Sequence, residues 1–110
     1  MAQKINLQLG VLIKKEETYY SAHCLQFDLV ATEDTLEGVQ KAIKSLCIAH
    51  IENSIANRNI DFLFSPAPQE VWAEYYASIE NRKCEVKQEN LLIPATSRSS
   101  FHIQEVSCYA

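Results

Sequence analysis

Several side chains that could do chemistry lie close together in the segment "YYSAHCLQFDLVATEDTLEGV", residues 19–39. A histidine beside a cysteine, His23 and Cys24, supplies the residue types of a nucleophile and its base. The two are adjacent in an alternating stretch, however, and neighbours on a strand point to opposite faces. We therefore expect no such pair, and we interpret His23 as a polar-face side chain of a sheet. The spacing of His23, His50 and His102 does not predict a metal site either.

The acids of the same segment are a second candidate. Paired carboxylates can hold magnesium for phosphoryl chemistry. Helix capping accounts for two of them: Asp34 is a candidate N-cap and Glu37, three residues on, would complete a capping box. Glu33 lies beside the cap, which leaves Asp28, at the end of a predicted strand, where a turn-forming role is favoured. The sequence thus predicts no catalytic residue, no metal and no cofactor, and a metal-dependent nuclease using Asp28 is the least favoured alternative.

The composition is that of one folded domain. The chain has 110 residues, 47% apolar and 22% charged, with a formal charge of −4. We expect a single domain over residues 1–110, with a core at 4–58 and a helical extension plus C-terminal strand at 66–110. The acidic balance disfavours unaided nucleic-acid binding, which needs clustered basic side chains.

Location and redox state follow from what the sequence lacks. It has no run of 18 apolar residues and no signal-peptide pattern, so we expect a cytoplasmic protein that does not enter a membrane. The cysteines contain no CxxC motif and have neither zinc-site spacing nor the density of a disulfide framework. We expect buried thiols in a reducing compartment. The four residues are Cys24, Cys47, Cys84 and Cys108.

The elements that must position these residues are predicted by hydrophobic period. Alternation over 4–14 and 18–25 predicts an antiparallel hairpin, and a third short strand follows at 28–32. A helix then starts near Asp34 and continues to about Asn57. Its second half is apolar on more than one side, which predicts a second neighbour besides its own sheet.

The C-terminal half predicts a second helix and a last strand. Pro66 and Pro68 break the chain, and an aromatic stripe at helical spacing follows them. Residues 94–100 are typical of a loop, and a strand begins near Phe101. The apolar end of the first helix and the aromatic stripe of the second are the predicted contact surfaces for an oligomer or partner. Their residues are Ile48, Ile51, Ile55, Trp72, Tyr75 and Tyr76.

Taken in order, these elements resemble the HicB-like antitoxin family over about residues 5–55. A tyrosine-rich second strand, a Cys-Leu element, a short third strand and an acidic "DTLE" helix start follow one another as in that family. The matching residues are Tyr20, Ala22, Cys24, Leu25, Asp34, Thr35, Leu36, Glu37 and Ile43.

The resemblance implies an α+β fold, β-β-β-α-α-β, with an antiparallel sheet of three N-terminal strands plus a C-terminal strand against a long and a shorter helix. This is a reduced ribonuclease-H-like arrangement without its catalytic acids. It also implies a non-enzymatic homo-oligomer that neutralises a small, basic ribonuclease toxin by covering its active site. Residues 80–110 lack a basic recognition helix, which argues against DNA binding. The alternative is a stand-alone regulatory or partner-binding module of the same fold, with no toxin partner.

Overall fold

Two helices and five strands make up the fold in a computed structural model, which describes residues 3–57, 63–80, 84–92 and 99–109. Three strands and a long helix come first, followed by a shorter helix and two further strands. In chain order they are β1 (Gln3–Lys15), β2 (Tyr20–Cys24), β3 (Leu29–Glu33), α1 (Leu36–Ala56), α2 (Gln69–Glu80), β4 (Cys84–Leu92) and β5 (Ser99–Tyr109).

The α+β class and the predicted order of elements are confirmed, with one strand added. All described strands belong to one sheet, in the order β3-β2-β1-β5-β4. β4 was not predicted, because its sequence "CEVKQENLL" alternates between apolar and polar residues only over its first four positions.

The sheet is mixed, which corrects the prediction that it is antiparallel throughout. β2 pairs antiparallel with β1 and β3, and β4 pairs antiparallel with β5, whereas β5 runs parallel to β1. A short turn forces its two strands to run in opposite directions. No such turn links β1 to β5, since both helices lie between them in the chain. Their direction was therefore not encoded locally.

The two helices lie on opposite faces of the sheet. Alternate side chains of β1, from Leu7 to Ile13, face α1 and form the larger apolar cluster with Val39, Ile43 and Ile51. The side chain of Leu12 points the other way and packs with Leu25, Ala67, Tyr75 and Cys108 under α2. β1 is consequently buried on both faces at its centre, as expected for the middle strand of a sheet covered on both sides.

Helix α1 begins one residue later than the sequence predicted. Thr35, not Asp34, is the N-cap: its backbone is extended and its Oγ1 accepts a hydrogen bond from the Gly38 N–H at 2.9 Å. Glu37 is then two residues after the N-cap instead of three, so it does not complete a capping box. Its carboxylate pairs with Lys41 at 3.3 Å. A Cβ on residue 38 would lie 2.9 Å from Thr35 Oγ1, so the glycine makes room for the cap.

The cysteines divide into two groups. Cys24 and Cys47 are buried thiols on the α1 side of the sheet, as predicted. Cys108 is disulfide-bonded, which corrects the prediction of a thiol at that position. Within the described residues, none of the helices has the length and apolar character needed to cross a membrane.

Candidate binding surface

Helix α2 is brought onto the sheet by a short segment that precedes it. The Ser65 N–H donates to the Gln26 carbonyl at 2.9 Å, and the Ala67 N–H donates to the Leu25 carbonyl at 2.8 Å. Pro68 follows immediately, and its carbonyl accepts from the Val71 N–H at 3.0 Å. Proline is suited to the start of a helix because it has no N–H to leave unpaired there. These backbone bonds fix where α2 begins and which side of it meets the sheet.

Tyr75 anchors α2 to the sheet. Its side chain is only 7% exposed, and its ring lies over Gly10 of β1. A Cβ on residue 10 would come within 2.8 Å of Tyr75 Cζ and Oη, so only glycine allows the ring to sit this close. The Tyr75 hydroxyl donates to the Val106 carbonyl at 3.4 Å. Burial, and secondarily the neighbouring Tyr76, raise the pKa of the Tyr75 phenol above its usual value.

A second side of α2 carries apolar side chains that the chain itself leaves exposed. Tyr76 is 56% exposed and Ile79 is 41% exposed, while Trp72 is half-buried. Spacings of four and three residues place all three on one stripe of the helix. The Trp72 and Tyr76 ring centroids are 6.0 Å apart. We call Trp72, Tyr76 and Ile79 the aromatic stripe.

The charge of α2 is wholly negative. Its sequence "QEVWAEYYASIE" contains three glutamates and no lysine or arginine. Glu74 forms an ion pair with Lys14 of β1, on the side of the helix away from the aromatic stripe. Glu70 and Glu80 are exposed at the two ends of the helix. The aromatic stripe is thus presented on a helix with an acidic surface.

The residues predicted to make external contacts differ in what the structure leaves available. Ile51 is fully buried and Tyr75 nearly so; both pack within the protein's own clusters. Ile48 and Ile55 are half-buried on α1. Leu46, which lies at helical spacing from the buried Val39 and Ile43, is 40% exposed. No local signal separated it from Cys47, because the second half of α1 is apolar on more than one side.

Asp28 has a structural role that explains its position in the turn. It adopts a left-handed backbone, with φ of 54°, between β2 and β3. Aspartate tolerates this conformation better than most residues because its short side chain can bond locally. Here its Oδ1 accepts a hydrogen bond from His23 Nε2 at 2.6 Å. Both a polar-face histidine and a turn aspartate were predicted, but their contact was not.

His23 also lines an open groove of about 150 Å³ beside α2. The groove is walled by Leu12, Val30 and Val71, with Lys14 and Ser21 as further polar groups. His23 and Cys24 do point apart, since Cys24 lies in the cluster under α1. Among the described residues, no three histidine, cysteine or acidic side chains come together as metal ligands. His50, the other histidine whose side chain is described, donates from Nε2 to the Leu63 carbonyl at 2.7 Å.

Comparison with known proteins does not add to this geometry. No protein-family model matches the chain, and neither the curated proteins nor the solved structures give a significant match.

Proposed function

We propose that this chain is a non-enzymatic, HicB-like protein that acts by binding another protein, with the aromatic stripe of α2 as the contact surface. Following the resemblance of residues 5–55, we propose a small, basic ribonuclease toxin as the partner and neutralisation of that toxin as the function. The observation that carries the binding surface is the exposure of Tyr76 and Ile79 beside Trp72 on an acidic helix.

Aromatic side chains on a rigid helix have the physical properties of binding anchors. Tryptophan and tyrosine bury a large area while losing only two side-chain torsions, and they are enriched among residues that dominate interface energies. Tyr75, buried beneath the stripe, fixes the helix that carries Trp72 and Tyr76. A partner would therefore meet a surface that is already ordered, which reduces the entropy cost of binding.

The charge of α2 favours a basic partner. The helix carries three glutamates and no lysine or arginine, and Glu80 lies four residues after Tyr76, on the same side of the helix as the stripe. Complementary potentials raise association rates and select against acidic partners. A toxin that binds RNA carries the positive surface that such a helix would attract.

The groups that could have served catalysis have structural roles instead, which supports a non-enzymatic function. The Asp28 carboxylate accepts from His23 within the turn between β2 and β3. The sulfur of Cys24 lies in the cluster under α1, on the far side of the sheet from His23.

Oligomerisation and location belong to the same proposal. We expect a homo-oligomer that uses the predicted apolar side chains that α1 leaves partly accessible, Ile48 and Ile55. We expect it to act in the cytoplasm, where an RNA-cleaving toxin has its substrate.

The test is binding to the small basic protein encoded next to this gene, produced together with it and measured by calorimetry. Substituting Ala for Trp72 or Tyr76 should weaken binding by about 5- to 30-fold, as expected for anchor residues. Leu46→Ala, on the opposite side of the sheet and 40% exposed, is the matched control and should change the dissociation constant by less than about 3-fold. Raising the salt concentration should also weaken binding.

Three outcomes would change the proposal. If Leu46→Ala weakens binding and the Trp72 and Tyr76 variants do not, the surface has been assigned to the wrong helix. If no adjacent basic protein exists or binds, the toxin partner is refuted and the stand-alone regulatory module becomes the better account. Magnesium-dependent RNA cleavage that Asp28→Asn abolishes would instead support the nuclease alternative.

A further inference from the structure

The two C-terminal strands, β4 and β5, place two cysteines opposite each other at one edge of the sheet. β4 and β5 are antiparallel, and their register pairs Cys84 with Cys108 at one end and Leu92 with Ser100 at the other. Cys108 is fully buried under α2, next to Tyr75 and Leu12, and is disulfide-bonded. The strand register therefore indicates which cysteine its partner is.

The backbone geometry of the pair suits a cross-strand bond. Residues directly opposite in an antiparallel ladder have Cα atoms about 4.5–5.5 Å apart. Disulfides span Cα separations of about 4.4–6.8 Å, so no backbone movement is needed to form one here. The other two cysteines, Cys24 and Cys47, lie in the cluster on the opposite face of the sheet from Cys108.

We propose that Cys84 and Cys108 form a reversible redox site, a cross-strand disulfide that covalently ties β4 to β5 beneath α2. The proposal does not depend on the identity of a binding partner. Backbone pairing along the whole length of β4 holds the two strands in register, so the strand pair does not require the bond. The site can therefore switch between dithiol and disulfide without a change of fold.

The chemistry is thiol–disulfide exchange with a small-molecule disulfide such as oxidised glutathione. One cysteine thiolate attacks a sulfur of that disulfide, forms a mixed disulfide and releases one glutathione thiolate. The second cysteine thiolate attacks the protein sulfur of the mixed disulfide and releases the second. In total, the two protein thiols lose two protons and two electrons and become a disulfide. The small-molecule disulfide takes up those protons and electrons and becomes two thiols. A reducing thiol pool drives the same steps backwards, so the dithiol form is expected in a reducing cytoplasm.

The bond should stabilise the strands that lie on either side of it. It closes a loop of about 25 residues, and a loop of that length loses substantial entropy in the unfolded chain. Cys108 packs against Tyr75, so the tie lies directly beneath the helix that carries the aromatic stripe. We expect oxidation to raise the melting temperature of the protein by about 8–15 °C.

Peptide mapping tests the assignment on the unmodified protein. The chain is equilibrated with oxidised glutathione or with dithiothreitol, alkylated and digested with trypsin. Cleavage after lysine and arginine places each of the four cysteines in a different peptide, with Cys84 in "CEVK" and Cys108 in "SSFHIQEVSCYA". The expected result is that these two peptides are linked after oxidation and separate after reduction, with a higher melting temperature for the oxidised form.

A pair of variants tests the stability effect. Cys84→Ser should abolish the difference in melting temperature between oxidised and reduced protein, while Cys47→Ser, on the other face of the sheet, should leave it intact. Four alkylated thiols after oxidation would refute the proposal, and so would a Cys108 peptide linked to a peptide other than "CEVK". Equal melting temperatures for the oxidised and reduced wild-type protein would refute the proposed tie.

Discussion

The contact between Gly10 and Tyr75 predicts a specific failure of packing when residue 10 acquires a side chain. In Gly10→Ala, the new Cβ would lie 2.8 Å from two atoms of the Tyr75 ring. The backbone cannot easily retreat, because the Gly10 N–H donates to Gln26 at 2.7 Å and its carbonyl accepts from Leu25 at 2.9 Å. The Tyr75 ring, and with it α2, must therefore move away from the sheet.

The magnitude follows from two opposing effects. Adding a methyl group to a well-packed site costs about 1–3 kcal/mol of unfolding free energy. Replacing glycine by alanine within a strand recovers roughly 0.5–1 kcal/mol, because the unfolded chain loses freedom. We expect a net loss of about 1–2 kcal/mol and a fall in melting temperature of about 4–12 °C.

A double-mutant cycle identifies the cause. Tyr75→Leu shortens the side chain that would collide, so Gly10→Ala should cost much less in that background, giving a coupling energy of about 1 kcal/mol or more. Tyr76→Leu is the matched control, because Tyr76 is 56% exposed and is not among the nearest atoms to a Cβ at residue 10. It should show no coupling, and unfolding in urea measures all the required free energies. If Gly10→Ala is neutral, or couples equally to both tyrosines, the proposed packing of α2 is wrong.

Three further predictions concern the cap, the turn and the buried phenol. Gly38→Ala should fail to stabilise α1 in the wild type but should stabilise it by about 1 kcal/mol in a Thr35→Ala background, because the threonine hydroxyl conflicts with the new Cβ. Urea unfolding of the four proteins would show no such reversal if Asp34 were the cap. Asp28→Ala should lower unfolding free energy by about 1–2 kcal/mol, because alanine neither tolerates φ of 54° nor bonds to His23. Asp28→Asn should lower it by less than half as much, and equal effects of the two substitutions would contradict this account. Because the pKa of the Tyr75 phenol is raised in the folded state, the stability that this residue contributes is complete below its unfolded pKa and is lost as pH rises through its folded pKa. Unfolding free energy should therefore fall more steeply above about pH 10 in the wild type than in Tyr75→Phe, and parallel pH profiles would refute the assignment.

The N-terminal half of the fold could be predicted because its signals are local. Alternation from Ile5 to Ile13 and a charged turn define the first hairpin, and the apolar stripe of α1 defines the helix. The cap was displaced by one residue because both Asp34 and Thr35 are good capping residues. The choice is made by Gly38, which leaves space for the Thr35 hydroxyl. A glycine three residues after a candidate cap was therefore the available signal.

The C-terminal half could not be predicted to the same depth because its arrangement depends on distant contacts. β4 alternates only over its first four residues, and β5 pairs in parallel with β1, a strand about 96 positions earlier in the chain. Non-local pairing of this kind has no sequence period to reveal it. The same holds for the site: Tyr75 and Tyr76 are adjacent in sequence, and the space that receives the Tyr75 ring lies over Gly10, 65 positions away from Tyr75.

This division between adjacent tyrosines decides which substitution gives the clearest test of binding. Tyr75 cannot be changed without disturbing the attachment of α2, and Trp72 packs partly against the same cluster. Substitutions there combine losses of stability and of binding. Tyr76 is 56% exposed and contacts the rings of Trp72 and Tyr75, so Tyr76→Ala should lower unfolding free energy by about 1 kcal/mol or less. A loss of partner binding in Tyr76→Ala that exceeds the change in unfolding free energy would therefore come from the surface itself, so this variant separates the two effects better than Trp72→Ala does.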